Sequence, residues 1–443
     1  MTNPEAPSEE FVEHDLPVFS DEGAEDFGQA YAHPLPTTLE PRPFKPWHRP
    51  RKQFVRRKQW VDLFARLLDD LPKRSDDNAY ASYIGLPGSD LLDVRMFADK
   101  CASRGLQLRY LGFDRTAAED SVESAYLYLS RDELWKSGNV HRESLVMPDD
   151  VSQLGNVRSL AYSTANRLSF DVVNLDLCGS ATNEPGGEVN TLYEALMNLM
   201  RVQSKREEPW LLLFTATFSR ENQSDSGVAN AGRLMRSLRD RLDGCVDAMN
   251  AARETIWLGQ DGSFPDVDSC DPYTYSRLLV LSFVTWLCGV GRKIRSSRFE
   301  LASVQGYRIN AYHLTPNMFS FAIRVTPQEP VVQDEACLLP PPKPIDECAE
   351  LTQHVDRLGR VVDVDRVLHQ DNDLFEQMRN DMANFLVGLR YDRQAYLSSD
   401  YSKRLELAPD NGVRTEVPNQ AQPPLHEQVS GVGNRTRVIV DPD

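Results

Sequence analysis

From residue 79 onward the chain switches repeatedly between two apolar periods. Short strand-like runs predict a buried strand at 79–84 and further strands at 106–113, 142–147, 170–177 and 210–218, the third of them short. Between them, apolar residues recur at intervals of three and four. That spacing predicts amphipathic helices over 91–104, 121–135, 156–168 and 190–203. Ser89 or Asp90 is a candidate N-cap for the first of these, and Gly105 closes it. Helices are also predicted at 228–253 and 272–294. Strands at 299–309 and 318–326 are close enough to form a hairpin. Before this rhythm, Trp60, Leu63, Phe64, Leu67 and Leu68 place a helix from Gln59. After it, Leu374, Met378, Met382, Phe385, Leu386 and Leu389 stripe a helix at 371–397.

Strands alternating with helices need crossover connections, which are right-handed and build a parallel sheet covered on both faces. The closing hairpin adds one antiparallel strand. The fold class is therefore α/β: a three-layer, Rossmann-like, mostly parallel sheet over residues 75–327. Residues 1–40 hold ten acidic residues, no Lys or Arg, and few aliphatics, which predicts a disordered acidic tail. Residues 41–74 join a basic, Pro- and aromatic-punctuated segment to the first helix. A linker is expected at 328–370, which includes LLPPPKP at 338–344. A helical appendage follows at 371–397 and a polar tail at 398–443.

The formal net charge of −17 disfavours nonspecific binding to nucleic acid or anionic membrane. One block runs against it: residues 41–60 hold eight Lys or Arg and no acid. Arg49, Arg51, Lys52, Arg56, Arg57 and Lys58 are candidate phosphate contacts, with Trp47 or Phe54 stacking on bases. The alternative is docking onto acids of this same chain. The 371–397 helix is either packed on the main domain or a protein-partner surface. The seven cysteines show no CxxC spacing and the eight histidines no HxxxH. Neither a disulfide framework nor a metal site is predicted, and reduced thiols in a cytoplasmic chain are expected. The longest apolar run, 278–291, is too short to span a bilayer and predicts a buried helix.

Four loop positions carry candidate chemistry. GLPGSD at 85–90 puts Gly85 and Gly88 in a turn between strand and helix, where backbone approaches a ligand closely. Asp114 ends the second strand, where an acid accepts hydrogen bonds from ribose hydroxyls. Asp149 and Asp150 follow the third strand. Asp171 and Asp176 bracket the apolar run of the fourth. The element order and these positions resemble the class I S-adenosylmethionine-dependent methyltransferase superfamily, over little more than half the chain. The resemblance implies S-adenosylmethionine as cofactor. Gly85 and Gly88 would lie against it, although the superfamily usually has three closely spaced glycines there. Asp114 would hold its ribose, Asp149 or Asp150 its adenine amino group, and Asp176 would sit beside the transferred methyl. A plain turn, a loop cap and a helix N-cap are the ordinary readings of the same residues.

The acceptor is not legible. DLCG at 176–179 lacks the Pro-Pro-aromatic tetrapeptide of base-nitrogen enzymes, and Cys178 follows Leu177 rather than proline. Arg220 stands where the ribose 2′-O enzymes place a lysine. Nucleic acid or protein is the expected acceptor class. A catalytically degenerate module that binds a nucleotide or a partner is the competing reading. A dinucleotide-dependent oxidoreductase is a third, disfavoured by the closing hairpin.

Overall fold

The five apolar runs become the parallel part of one eight-stranded sheet. The computed structural model describes residues 42–72, 79–119, 121–183, 191–257, 263–328 and 345–407. The expected acidic tail at 1–40, the run at 338–344 and the polar tail beyond 407 lie outside the described residues. The strands are β1 (Tyr80–Gly85), β2 (Gln107–Phe113), β3 (Leu145–Met147), β4 (Val172–Ser180), β5 (Trp210–Thr217), β6 (Ser297–Tyr307), β7 (Met318–Pro327) and β8 (Val362–Asp363). Their order is β3-β2-β1-β4-β5-β7-β6-β8. β1 pairs in parallel with β2 and β4, as does β2 with β3 and β4 with β5. β7 runs antiparallel to both β5 and β6, and β8 joins β6 in parallel. Five parallel strands closed by a hairpin, with the strand order reversing between β1 and β4, is the predicted fold class.

Alternation along each strand sends neighbouring residues to opposite faces. Val173, Leu212 and Phe214 belong to the core on one face, and Val172, Leu211 and Leu213 to the core on the other. Helix α1 is one helical run made of Pro50–Val55, a π-helical turn Arg56–Val61, and Asp62–Asp70. It packs in the second core with α2 (Leu92–Ala102) and α3 (Val122–Ser137). The first core takes α4 (Leu160–Ala165), α5 (Leu192–Gln203), α6 (Asp225–Asp243), α7 (Val246–Thr255) and α8 (Pro272–Ile294).

Helix α8 shows why a sequence forms its element. Asp271 caps it by accepting from the Tyr273 and Thr274 amides at 2.9 and 3.0 Å, Pro272 occupies the first turn, and Arg292 and Lys293 lie in the last. At 23 residues the helix exceeds its central apolar run and is long and apolar enough to cross a membrane, but 89% of its most apolar window is buried inside the molecule.

Several elements differ from expectation, each for a local reason. The single helix expected at 228–253 breaks at Gly244 and Cys245 into α6 and α7. The helix expected at 156–168 shortens to α4, capped by Ser159. Neither Ser89 nor Asp90 caps α2. Its N-cap is Leu91, in the left-handed region at φ 51° with no side-chain cap bond, because Asp90 is taken up by tertiary partners. The expected linker is not structureless where it is described. Residues 345–370 contain α9 (Glu347–Gly359), β8 and α10 (Val364–Gln370). The 371–397 helix is α11 (Asn372–Val387), followed after Gly388 by α12 (Arg393–Ser398). Together with Phe44 and Trp47, α11 and α12 form a third apolar cluster around Met382, Leu386 and Tyr396. The expectation of no disulfide is also overturned. Packing of α9 on α7 brings Cys245 and Cys348 to a Cα separation of 5.3 Å and they are bonded, a pairing 103 residues apart that spacing cannot reveal. Cys101, Cys178, Cys270 and Cys288 are not in disulfides.

Candidate active site

Parallel strands deliver their following loops to one edge, and ligand clefts form where strand order reverses. Here that edge carries a cleft of about 610 Å³. Its wall includes Gly88 after β1, Asp114 after β2, Asp149 and Asp150 after β3, and Asp176 on β4. Five of the six residues singled out in the sequence therefore converge. Gly85 sits beneath the wall rather than on it. A Cβ there would lie 2.4 Å from the Tyr83 hydroxyl and 2.6 Å from the Asn174 carbonyl, so only glycine lets β1 and β4 close at this point.

The turn itself is built for close approach. Gly88 lies at φ 60°, a conformation costly for a side chain, and the space a Cβ would take is open. Asp114 Oδ1 accepts from the Thr116 amide and hydroxyl at 2.9 and 2.7 Å, which fixes the carboxylate and leaves Oδ2 as an acceptor. Asp150 Oδ1 accepts from the Ser152 amide at 2.8 Å, so it is an N-cap as well as a wall residue. This acceptor set fits an adenosyl group, with fixed carboxylates for the ribose hydroxyls and the adenine amino group, and the glycine turn leaves room for the chain attached to the ribose. Asp171, at the other end of the β4 run, takes no part. It is fully buried and accepts from the Ser82 amide, the Ser82 hydroxyl and Arg206 at 2.6, 2.9 and 2.9 Å.

The basic segment forms the remaining wall. Trp47, Arg49, Arg51, Lys52 and Arg56 line the cleft. Arg51, Lys52 and Arg56 are buried, each against an acid of this chain. Lys52 Nζ donates to Asp176 Oδ1 at 2.5 Å and lies 4.6 Å from the Trp60 ring centre. Arg56 Nε donates to Asp93 Oδ1 at 2.6 Å, and Arg51 pairs with Asp365 at 3.4 Å. Burial pulls the Lys52 ammonium down, but the Asp176 carboxylate and the Tyr307 phenol outweigh it, and the net shift is upward. Lys52 is therefore firmly cationic. Burial pushes the Asp93 carboxyl up, aided by the Asp176 charge and opposed by Arg56. Arg49 is half-buried, Arg57 is exposed, and Lys58 is half-buried. The inward turn of Arg51, Lys52 and Arg56 follows from helical spacing: Lys52, Arg56, Gln59 and Trp60 share the α1 face that meets the sheet. That spacing was legible, but eight cations without an acid masked it.

Behind the glycine turn, Asp90 gathers three side chains from two distant segments. Arg42 pairs with it at 2.7 Å, His48 Nε2 lies 3.1 Å away, and the Tyr391 hydroxyl donates at 3.1 Å. Burial pulls His48 below its ordinary value despite Asp90. Burial raises Asp90, yet His48 and Arg42 carry its net shift downward. The pair is a neutral imidazole and an ionised carboxylate, and it fixes the basic segment and the chain after α11 to the cleft wall. On the far wall, the Arg308 guanidinium is held by Asp363 at 2.8 and 2.9 Å.

Comparison with known proteins yields one family. A family model described as PP_RS20740-like matches residues 41–401. No curated protein matches the chain in sequence. Similar solved structures include the magnesium protoporphyrin IX methyltransferase of Synechocystis PCC 6803 with bound SAH, at 12% identity and TM-score 0.27, covering 70% of this chain and 96% of that one. A class I S-adenosylmethionine-dependent methyltransferase of Listeria monocytogenes, described as putative, is 10% identical at TM-score 0.28, covering 68% and 70%. At such TM-scores these likenesses carry no weight. The strand order and the placement of the cleft are what describe this fold.

Proposed function

The chain belongs to the PP_RS20740-like family, and we propose that it is an S-adenosylmethionine-dependent methyltransferase whose cofactor site is the cleft at the carboxyl edge of the sheet. One observation carries the reading. Gly88, Asp114, Asp149 and Asp150 from three separate loops and Asp176 from β4 line one cavity.

The Gly85–Gly88 turn would hold the methionyl portion, Asp114 the ribose hydroxyls, and Asp149 or Asp150 the adenine amino group. When bound, the cofactor supplies a methyl group already activated on a sulfonium, so the protein's task is largely alignment and water exclusion. Asp176 is the residue placed to orient the acceptor. Its Oδ1 is held by Lys52, and Oδ2 remains to accept a hydrogen bond. From there Asp176 would orient or deprotonate the acceptor. Trp47 and α1 shield that end from solvent.

The acceptor is best supplied from the macromolecular class: the β6–β7 connection exposes Tyr312 and Leu314, and Arg308, a residue of the cleft wall, donates to the Leu314 carbonyl at 3.0 Å. Of the six basic residues, Arg49, Arg57 and Lys58 keep solvent exposure and would meet a nucleic-acid acceptor. The decisive experiment is calorimetric titration of S-adenosylmethionine and S-adenosylhomocysteine into wild type and Asp114→Ala. Binding that is lost in the variant supports the reading. A folded wild type that binds neither ligand overturns it in favour of the degenerate interaction module.

A further inference from the structure

A second cluster of chemistry-bearing side chains lies between α8 and α9. Cys288, Glu350 and His354 each offer one ligand atom, and these atoms lie within 4.8 Å of one another. Among the described residues this is the one such group of His, Cys and acid. Glu350 and His354 are one helical turn apart on α9 and share a face, and α8 brings Cys288 against it. All three border a cavity of about 140 Å³ that shares no wall residue with the cleft. Such a space holds a cation with a water on its open side.

The surroundings match what a metal requires of its ligands. His354 Nε2 donates to the Phe299 carbonyl at 3.1 Å, which fixes the ring and leaves Nδ1 with its lone pair. Glu350 Oε2 accepts from the Phe299 amide at 3.2 Å, and Oε1 accepts from Arg292. Arg292 also pairs with Glu347 at 2.9 Å, so it keeps an anionic partner if Glu350 gives a lone pair to a cation. Cys288 would bind as its thiolate. A coordinated cation compensates the thiolate directly, and binding releases the thiol proton to solvent.

We propose that Cys288, Glu350 and His354 bind one divalent transition-metal ion of the zinc class, with a fourth position open to the cavity. One sulfur, one nitrogen and one oxygen ligand favour zinc over magnesium or calcium, which take oxygen alone. The ion joins the middle of α9 to α8, beyond the point where the Cys245–Cys348 disulfide anchors the start of α9. From α9 the chain leads into β8 and α10, whose Asp363 and Asp365 hold Arg308 and Arg51 at the cleft.

The test uses the full-length chain, freed of metal and titrated with cobalt(II) while its visible and near-ultraviolet spectra are recorded. A saturating thiolate-to-cobalt charge-transfer band is expected, and zinc should displace it. Cys178→Ala, which removes the exposed free thiol, should leave the band intact. Cys288→Ser should abolish it, and His354→Gln should weaken cobalt binding by about tenfold or more. Circular dichroism establishes that each variant is folded, and Glu350→Gln provides a second ligand variant should Cys288→Ser unfold. No charge-transfer band from folded wild type, or a band that survives Cys288→Ser, overturns the proposal.

Discussion

Asp171 and Asp176 are the same residue type on the same stretch of chain, yet they do opposite work. Asp171 precedes β4 at the amino edge of the sheet and is 0% exposed, with Ser82 and Arg206 satisfying it. Asp176 lies where the β4–β5 ladder shifts register, its side chain is 17% exposed, and it has one cationic partner and a cleft in front of it. A fully satisfied buried charge is a structural joint. A partly satisfied one at a register shift is available to a ligand. The same contrast separates Arg206 from Lys52: one closes a joint between strands, while the other stands at the wall of the cleft.

The sharpest way to break this contrast is to remove its structural half. Asp171→Ala removes three buried hydrogen bonds and leaves Arg206 with Glu208 and backbone carbonyls alone, and should cost about 3–5 kcal/mol in urea denaturation. A loss under about 1 kcal/mol would show that Asp171 is no joint at all. Next in size is the coupling across the cleft wall. Lys52→Met, Asp176→Asn and the double variant should yield an interaction energy of about 1–3 kcal/mol, and additivity would mean that the pair is not formed in solution.

His48 sharpens the contrast through pH. Its value in the folded chain is below the ordinary 6.5, so below pH 6.5 the unfolded chain binds more protons. Stability should be complete above pH 6.5 and fall as the pH drops from there, with a slope of at most about 1.4 kcal/mol per unit from this one group. The groups facing His48 are Asp90, Arg42, Arg56 and Tyr391. Asp90, with its folded value lowered, loses its contribution only as the pH falls through the still more acid range. Denaturation at stepped pH should therefore show a flatter curve between pH 6.5 and 5 for His48→Gln, and an unchanged curve would remove His48 from the account. The smallest effect belongs to the outward cations. Arg57→Ala and Lys58→Ala should each change stability by less than about 0.5 kcal/mol. If nucleic acid is the acceptor, each should lower the salt slope of its binding by about one. A slope that does not move would take these residues out of the acceptor site.

Much of the fold was open to reading before any coordinates. Short apolar runs bounded by turn residues read as strands, while the longer run at 278–291 reads as a buried helix, and five such strands separated by amphipathic helices leave one economical arrangement. The candidate cofactor residues were equally legible, because each stands at a fixed offset from the end of a strand and the fold carries strand ends to one edge. Lys52, Arg56 and Asp93 were not placed at the site, since their roles depend on which face of α1 and α2 meets the sheet. Asp90 looked like a helix cap because capping is a local property, but Arg42, His48 and Tyr391 compete for it from far along the chain.

What the sequence determined by itself is therefore what depends on local pattern: the strand and helix order, the parallel sheet, and the acids at the strand tips. Only the tertiary structure decided which charges meet. It turned the basic segment inward onto Asp93, Asp176 and Asp365, joined Cys245 to Cys348, and brought Cys288 to Glu350 and His354. The reason is physical. Periodicity reports the cost of exposing apolar surface residue by residue, whereas pairing energies depend on distances between segments that one-dimensional order does not contain.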